Sequence, residues 1–235
     1  MFRNFIFIGL IFMFSSCAMP AAEAMILINE ILADPPTGLA GDANGDGVGS
    51  SNDDEFVELF NAGNFSMDLS GWSLNDALQT RHVFPSGTWI PSQKLLVIFG
   101  GGSPQITAAP WQIASTGTLS LNNAGDTVTL YNLNHDIIDQ MMYGTQGGQD
   151  QSLARSPEGS GDHFVLHLSL ANAGGQRFSP GYFVNPPVEP VEPVAAAASV
   201  PASVPEGNTF LCFALGLMLL VLVRTPVAQA VNSRF

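Results

Sequence analysis

Short apolar runs separated by turn residues dominate the middle of the chain. The runs are Ile26–Leu32, Phe56–Phe60, Trp72–Leu74, His82–Phe84, Leu95–Phe99, Thr127–Tyr131 and Ile137–Tyr143. None has the period of an amphipathic helix, and polar and apolar residues alternate along Thr127–Leu130 as a half-buried strand requires. Segments rich in Gly, Asn, Pro and Ser end each run. The pattern predicts an all-β sandwich of seven or more strands over residues 25–185 and argues against a parallel α/β fold, which needs crossover helices.

Residues 1–24 have the pattern of a secretory signal peptide. Arg3 supplies a positive charge, and Phe5–Phe14 is an apolar run too short to span a bilayer. Ala22–Ala24 is a small-x-small cleavage site, whereas Cys17 after two serines leaves a lipoprotein signal open as the alternative. In either case we expect the protein to be exported.

The other end of the chain contains a Pro-rich linker and an apolar segment. Residues 186–207 predict an extended, semi-rigid spacer because each Pro restricts the backbone. Residues 208–235 predict a hydrophobic helix around Phe210–Val223. A helix of that length rises about 21 Å, which is less than the hydrocarbon core of a bilayer.

The order of Val204–Glu206, the apolar run and Arg224 resembles the PEP-CTERM sorting signal of bacterial surface proteins. The resemblance implies recognition by an exosortase-type membrane protease, release from the membrane, and delivery to the cell surface or the extracellular matrix. A plain C-terminal membrane anchor is the alternative that topology rules leave open. In both interpretations the C-terminal segment contacts the membrane at least transiently.

Charge and cysteine content exclude several classes of function. The net charge of −13, from 7 Lys plus Arg against 20 Asp plus Glu, excludes nucleic acid as a default partner. Hydrophobic residues make up 46% of the chain and charged residues only 11%, so the chain is not a disordered acidic tail. Both cysteines, Cys17 and Cys212, lie in the end segments. Disulfides, cysteine-ligated zinc and a cysteine nucleophile are therefore excluded from the folded part.

A set of short motifs in the middle of the chain occurs in a characteristic order. The set is Ile28–Ile31, Glu55–Asn61, Asp68–Leu74, Phe84–Gly87, Asn123–Asp126, Ile138–Asp139, Tyr143–Gly144, Ser152–Ser156 and Ser179–Gly181. Together these motifs resemble the bacterial branch of the lamin tail domain over nearly all of residues 25–185. The resemblance implies an immunoglobulin-like β-sandwich and a non-catalytic binding or scaffolding module of secreted or surface proteins.

Arg155 is one of the few cations of the predicted domain. In such an acidic chain we expect it to pair with a carboxylate such as that of Glu58 or Asp139.

Residues 41–54 carry the strongest chemical motif, a calcium-type loop inserted between the first two strands. The candidate ligands are Asp42, Asn44, Asp46, the Val48 carbonyl and Asp53, at loop positions 1, 3, 5, 7 and 12. Calcium loops gather oxygen atoms from these positions, and Gly47 at position 6 allows the sharp turn. With Asp at position 12 the loop resembles those of dockerins. We expect weak calcium binding, in the range of about 10⁻⁴ to 10⁻³ M; the alternative is a solvated polar turn.

The sequence contains no recognisable catalytic motif. A His-Glu-x-x-His helix, a Gly-x-Ser-x-Gly elbow and a phosphate-binding Gly-x-x-x-x-Gly-Lys loop are all missing, and Gly100–Gly102 is interpreted as a hairpin turn. On a strand, His163 and His167 would lie about 13 Å apart, too far to bind one ion. The sequence therefore predicts that the protein is not an enzyme.

These features together predict an exported adhesive or scaffolding module whose partner is a polymer or protein of the cell surface or matrix. The first alternative is a carbohydrate-binding accessory domain, which exposed aromatic side chains at Trp89, Trp111 and Tyr131 would support. The second is a secreted hydrolase, which would need a cleft lined by convergent polar groups.

Overall fold

The computed structural model describes residues 26–187, so the predicted signal peptide, most of the linker and the C-terminal hydrophobic helix lie outside the described residues. The strands are β1 (Ile26–Leu32), β2 (Phe56–Asn61), β3 (Met67–Asp68), β4 (Ser73–Asn75), β5 (Thr80–Val83), β6 (Trp89–Ile90), β7 (Leu95–Phe99), β8 (Trp111–Ile113), β9 (Asp126–Tyr131), β10 (Ile137–Tyr143), β11 (Leu153–Ser156) and β12 (His163–Leu166). Short 3₁₀ helices form at Gly38–Gly41, Thr145–Gly148 and His167–Ser169. Within 26–187, no helix is long and apolar enough to cross a membrane.

Two sheets account for most of the strands. The first sheet has six strands in the order β12-β11-β1-β2-β7-β8, and the second has four in the order β10-β9-β4-β5. The short strands β3 and β6 form a separate pair. Every pairing is antiparallel except that of β7 with β8. The predicted all-β class is confirmed, and each of the seven predicted runs contains or overlaps a strand.

The first sheet is covered on both faces, which explains the sequence of its central strands. One face packs against the second sheet through a core that includes Val57, Leu74 and Leu130. The opposite face carries a smaller cluster in which Phe56 and Phe99 are covered by loop residues. β1, β2 and β7 are therefore buried along their whole length and are mostly apolar, with polar side chains at two positions in each of β1 and β2.

Arg155 joins the two sheets at an irregularity of β1. The β1–β2 register shifts between Ile28 and Glu30, so that Asn29 has no partner on β2. Asp139 Oδ2 accepts a hydrogen bond from Ile28 N at 2.7 Å, and Arg155 Nε donates to Ile28 O at 2.7 Å. The Arg155 and Asp139 side chains also form a buried ion pair. The prediction of a carboxylate partner for Arg155 is confirmed, and that partner is Asp139.

The interpretation of Gly100–Gly102 as a hairpin turn is wrong. β7 and β8 run parallel, and parallel strands cannot be joined by a tight turn. Residues 100–110 instead form a longer connection that carries the chain back along β7, so that β8 can run parallel to it. Its glycines lie against the predicted calcium loop.

Candidate metal site

The predicted calcium loop is organised by the carboxylate of Asp42. Asp42 Oδ1 accepts hydrogen bonds from Gly45 N at 2.8 Å and Asp46 N at 3.1 Å, and Asp42 Oδ2 accepts one from Gly47 N at 2.9 Å. Gly45 and Gly47 have φ values of 76° and 88°, a region that favours glycine. The glycines at these two positions therefore let the loop close around Asp42.

Three other predicted ligands meet the glycines that follow β7. A Cβ atom at Gly102 would lie 2.5 Å from Asn44 Nδ2 and 2.7 Å from Asp46 Oδ2, and one at Gly101 would lie 2.3 Å from Asp53 Oδ1. The side chains of Asn44, Asp46 and Asp53 thus converge where only glycine fits. The sequence analysis missed the role of Gly101 and Gly102 because it assigned them to a turn.

Ser103 links the same connection to the loop by a hydrogen bond. Its backbone N–H donates to Asp46 Oδ2 at 3.0 Å. Val48 is exposed, and its N–H donates to Asp46 Oδ1 at 2.9 Å. The carboxylate of Asp46 therefore spans the loop and the β7–β8 connection.

Asp54 joins two parts of the loop from its buried side. Its carboxyl is buried and accepts hydrogen bonds from Asn44 N at 2.9 Å and Ser50 N at 2.7 Å. Burial raises the pKa of Asp54, while these two hydrogen bonds oppose the shift. Asp54 was not among the predicted ligands, and its engagement with the backbone indicates a structural role.

The donor set suits a hard cation, although its atoms are not gathered around a single point. Asp42 turns its carboxylate toward its own loop, and among residues 26–187 no three His, Cys, Asp or Glu side chains are grouped to hold a metal ion. Asn44 is fully buried and its Nδ2 atom has no hydrogen-bond partner. Its Oδ1 atom accepts a hydrogen bond from Asp46 N at 2.9 Å, so turning the carboxamide to present this oxygen to an ion would break that bond. The residues fit calcium in type, and binding would require the loop to rearrange.

Two Ser–His contacts have the spacing of a catalytic pair. His167 Nε2 lies 3.1 Å from Ser179 Oγ, but both residues are completely buried and offer no access to a substrate. His82 Nδ1 lies 3.1 Å from Ser115 Oγ, which also accepts a hydrogen bond from Val83 N at 2.9 Å. Burial lowers the pKa of His82. The Ser115 hydroxyl therefore serves as a backbone link at the end of β5.

Two of the three aromatic residues considered for carbohydrate binding are associated in space. Trp89 is 54% exposed and Trp111 is 39% exposed, and their sequence neighbours Thr88 and Gln112 are joined by a hydrogen bond of 3.0 Å. Tyr131 is half-buried and belongs to the second sheet. The tryptophans lie on β6 and β8, which the Thr88–Gln112 contact connects.

The comparisons with known proteins agree with this architecture. A profile of the family described as Lamin Tail Domain matches residues 19–145, which is more than half of the 235-residue chain. No curated protein matches the chain. The matched segment contains β1 to β10, including all four strands of the second sheet and the calcium-type loop. The chain belongs to the lamin tail domain family, whose members are immunoglobulin-like and generally non-enzymatic.

Proposed function

We propose that the protein is a non-catalytic module of the bacterial cell surface or extracellular matrix, stabilised by calcium at residues 41–54. Its role is adhesive or scaffolding, and its partner is a surface or matrix polymer or protein. Membership of a generally non-enzymatic family supports the non-catalytic part. The two Ser–His contacts support it as well, since one is buried and the other is committed to the backbone.

The observation that carries the calcium proposal is the convergence of Asn44, Asp46 and Asp53 on Gly101–Gly102. Carboxylates that approach one another repel unless a cation or a proton lies between them. Each of these side chains offers oxygen ligands, which calcium prefers. A bound ion would also tie the loop before β2 to the connection after β7.

Thermal unfolding tests this site. The segment 25–187 contains all three hydrophobic clusters, so its stability can be measured by itself. We expect calcium at 100 times its dissociation constant to add about 2.7 kcal/mol relative to chelator, a shift of several degrees in Tm. The shift should disappear in the double variant Asp46→Ala/Asp53→Ala and persist in Asp162→Asn, an exposed control. Coincident unfolding curves at tens of millimolar calcium would contradict the proposal.

Export and sorting form the second part of the proposal. Residues 1–24 act as the signal peptide, residues 186–207 as the spacer, and residues 208–235 as a segment that an exosortase-type protease removes or that stays in the membrane. Fractionation of the native host with intact-mass measurement separates these cases. A surface-exposed chain that begins near Met25 and has lost residues 208–235 is expected. An unprocessed chain in the cytoplasmic fraction would refute export.

A carbohydrate-binding role is the second candidate function. The exposure of Trp89 and Trp111, with Thr88 and Gln112 hydrogen-bonded between β6 and β8, favours it because sugars stack on exposed aromatic rings. We expect glycan-array binding to be lost in Trp89→Ala/Trp111→Ala and kept in Tyr131→Ala. Array signals at background for the unmodified protein would remove this candidate.

A further inference from the structure

The C-terminal part of the domain, Gln176–Asn185, is held by the carboxyl groups of three glutamates; we name it the strap. Ser179 N donates to Glu30 Oε1 at 2.9 Å, and Gly181 N donates to Glu58 Oε2 at 2.7 Å. Asn185 N donates to Glu158. The strap is thus attached to β1, β2 and the β11–β12 connection mainly through its backbone.

These three glutamates lie where ionised carboxylates are costly. Their relative exposures are 0% for Glu30, 0% for Glu58 and 1% for Glu158. Glu30 and Glu58 are direct cross-strand partners, and like charges at opposed positions destabilise a sheet. Within 26–187 no Lys or Arg forms an ion pair with any of the three, and His167 Nε2 lies 4.0 Å from Glu30 Oε1.

The Ser179 hydroxyl lies between His167 and Glu30. His167 Nδ1 lies 2.8 Å from the Gln176 carbonyl, which can only accept, so Nδ1 carries a hydrogen. The Ser179 hydroxyl lies 2.7 Å from Glu30 Oε2 and 3.1 Å from His167 Nε2, and it has one hydrogen to donate. The single hydrogen of Ser179 cannot serve both contacts, and this hydroxyl links His167 to Glu30 within one buried cluster.

The neighbouring acids favour proton retention. Burial raises the pKa of Glu58 well above its usual value, and the adjacent Glu30 adds to the effect. Burial also raises the pKa values of Glu158 and of Tyr182, the remaining titratable groups that face Glu30 and Glu58. Glu58, Glu158 and Tyr182 thus lie near Glu30, whereas the β11 side contributes the uncharged Ala154 and Ser152.

The strap follows a turn at Gly174–Gly175, which a hydrogen bond from Gln176 N to Ala173 O closes, and it packs on apolar residues. Gly174 and Gly175 have φ values of 60° and 88°, and a Cβ atom at Gly175 would meet no atom within 4 Å. Phe178 packs against the cluster around Phe56, and the ring of Phe183 lies 5.0 Å from that of Phe60 between centroids. These apolar contacts support the closed position together with the backbone N–H bonds to the glutamates.

We propose that the strap is a proton-held latch that opens at Gly174–Gly175 when the pH rises, while both sheets stay folded. Loss of the Glu58 proton leaves an ionised carboxylate that faces the Glu30 carboxyl group across β1 and β2. Opening removes the strap from this repulsion and admits water to the glutamates. Because the strap leads directly into the linker, its release lengthens the tether of the domain by roughly 30 Å if the ten residues become extended.

Hydrogen exchange on the full chain in detergent tests the latch. Protection factors, corrected for the intrinsic exchange rate at each pH, are compared between the strap and β2 from about pH 6 to pH 10. We expect strap protection to fall about tenfold per pH unit for each proton released, while β2 stays protected. Strap protection that is independent of pH, or that is lost together with that of β2, would overturn the proposal.

Matched variants assign the effect to the cluster. Glu58→Gln removes one of the titrating groups, so the pH dependence of strap protection should become at least one proton shallower. Glu55→Gln is the control, because Glu55 is buried, its pKa is raised to about 8, and its carboxyl binds Leu121 N instead of the strap. It should leave the pH profile of the strap unchanged. An unchanged profile in Glu58→Gln would contradict the assignment.

Ser179→Ala provides a second test should Glu58→Gln fold poorly. This change removes the hydroxyl that joins His167 to Glu30 and leaves Ser179 N in place. Strap protection should fall severalfold or more at pH 7 with β2 unaffected. Strap protection equal to that of the wild-type protein would contradict the role of Ser179 in joining His167 to Glu30.

Discussion

Two clusters of carboxylates in the same acidic domain are stabilised in different ways. The loop cluster around Asp46 and Asp53 is half-buried and lies beside glycines of the β7–β8 connection. The strap cluster around Glu30 and Glu58 is completely buried and is surrounded by backbone N–H donors and one histidine. We propose that the first recruits a cation from solvent, whereas the second retains protons.

Burial is the variable that separates the two clusters. A half-buried carboxylate keeps part of its hydration, so it can stay ionised and bind an ion weakly. A carboxylate with no exposure loses that hydration, and without a Lys or Arg partner the protonated form becomes favoured. The loop cluster should therefore respond to calcium and the strap cluster to pH.

The largest expected effect comes from removing the centre of the strap cluster. Glu30→Ala leaves Ser152, Ser179 and His167 without their buried partner. We expect a loss of about 3–5 kcal/mol in the free energy of unfolding, measured in urea. Glu30→Gln keeps the shape of the side chain and should lose less. A loss below about 1 kcal/mol in Glu30→Ala would show that the cluster contributes little.

A smaller loss is expected where the loop cluster meets the glycines. Gly102→Ala combines a φ of 75° with a clash against Asn44 and Asp46, so it should cost about 2–4 kcal/mol and abolish the calcium response. Gly117→Ala is the control, because its φ is 77° and its Cβ would meet no atom within 4 Å. It should cost about 1–2 kcal/mol and keep the calcium response. Equal losses in the two variants would mean that the convergence at Gly102 is unimportant.

A smaller effect is expected in the pH dependence of the free energy of unfolding, to which the strap cluster should contribute. The folded-state pKa values of Glu58 and Glu158 are raised, so the folded protein binds more protons than the unfolded chain above the usual carboxyl range. Their contribution to stability is present below the unfolded pKa and is lost as the pH rises through the folded pKa. The free energy of unfolding in chelator should therefore decrease from mildly acidic to alkaline pH, with a shallower slope in Glu58→Gln. A stability that rises over this range would refute the assignment.

The smallest effect is expected at an exposed carboxylate that belongs to neither cluster. Asp162 pairs with His163 at 3.0 Å, but its side chain is fully exposed. Asp162→Asn should leave the urea midpoint, the calcium response and the strap protection unchanged. A change in any of the three would show that the two clusters are not independent of surface charge.

The strands that could be predicted from the sequence are those whose buried positions appear as runs of apolar residues. β1, β2 and β7 are apolar because both faces of their sheet are covered, and β9 alternates because its own sheet is not. β3, β6 and β8 are two or three residues long, and β11 contains Arg and Ser, so neither length nor pattern marked them. A carboxylate partner for Arg155 could be predicted because cations are scarce in this chain.

The sites depend on contacts that no local pattern reveals. The spacing of Asp42, Asn44 and Asp46 indicated the loop, but its contact with Gly102 depends on the parallel placement of β8. Glu30 and Ser179 are 149 positions apart and meet only because the strap returns to β1. Burial turns these ordinary polar residues into a proton-holding cluster, and burial of a polar side chain leaves no signature in the sequence around it.

Calorimetric titration of the chelator-treated protein with calcium tests the central claim most directly. The account predicts one site per chain with a dissociation constant of about 10⁻⁴ to 10⁻³ M, absent from Asp46→Ala/Asp53→Ala and kept in Asp162→Asn. No calcium binding up to tens of millimolar, or equal binding by the double variant, would contradict it and reduce residues 41–54 to a polar turn.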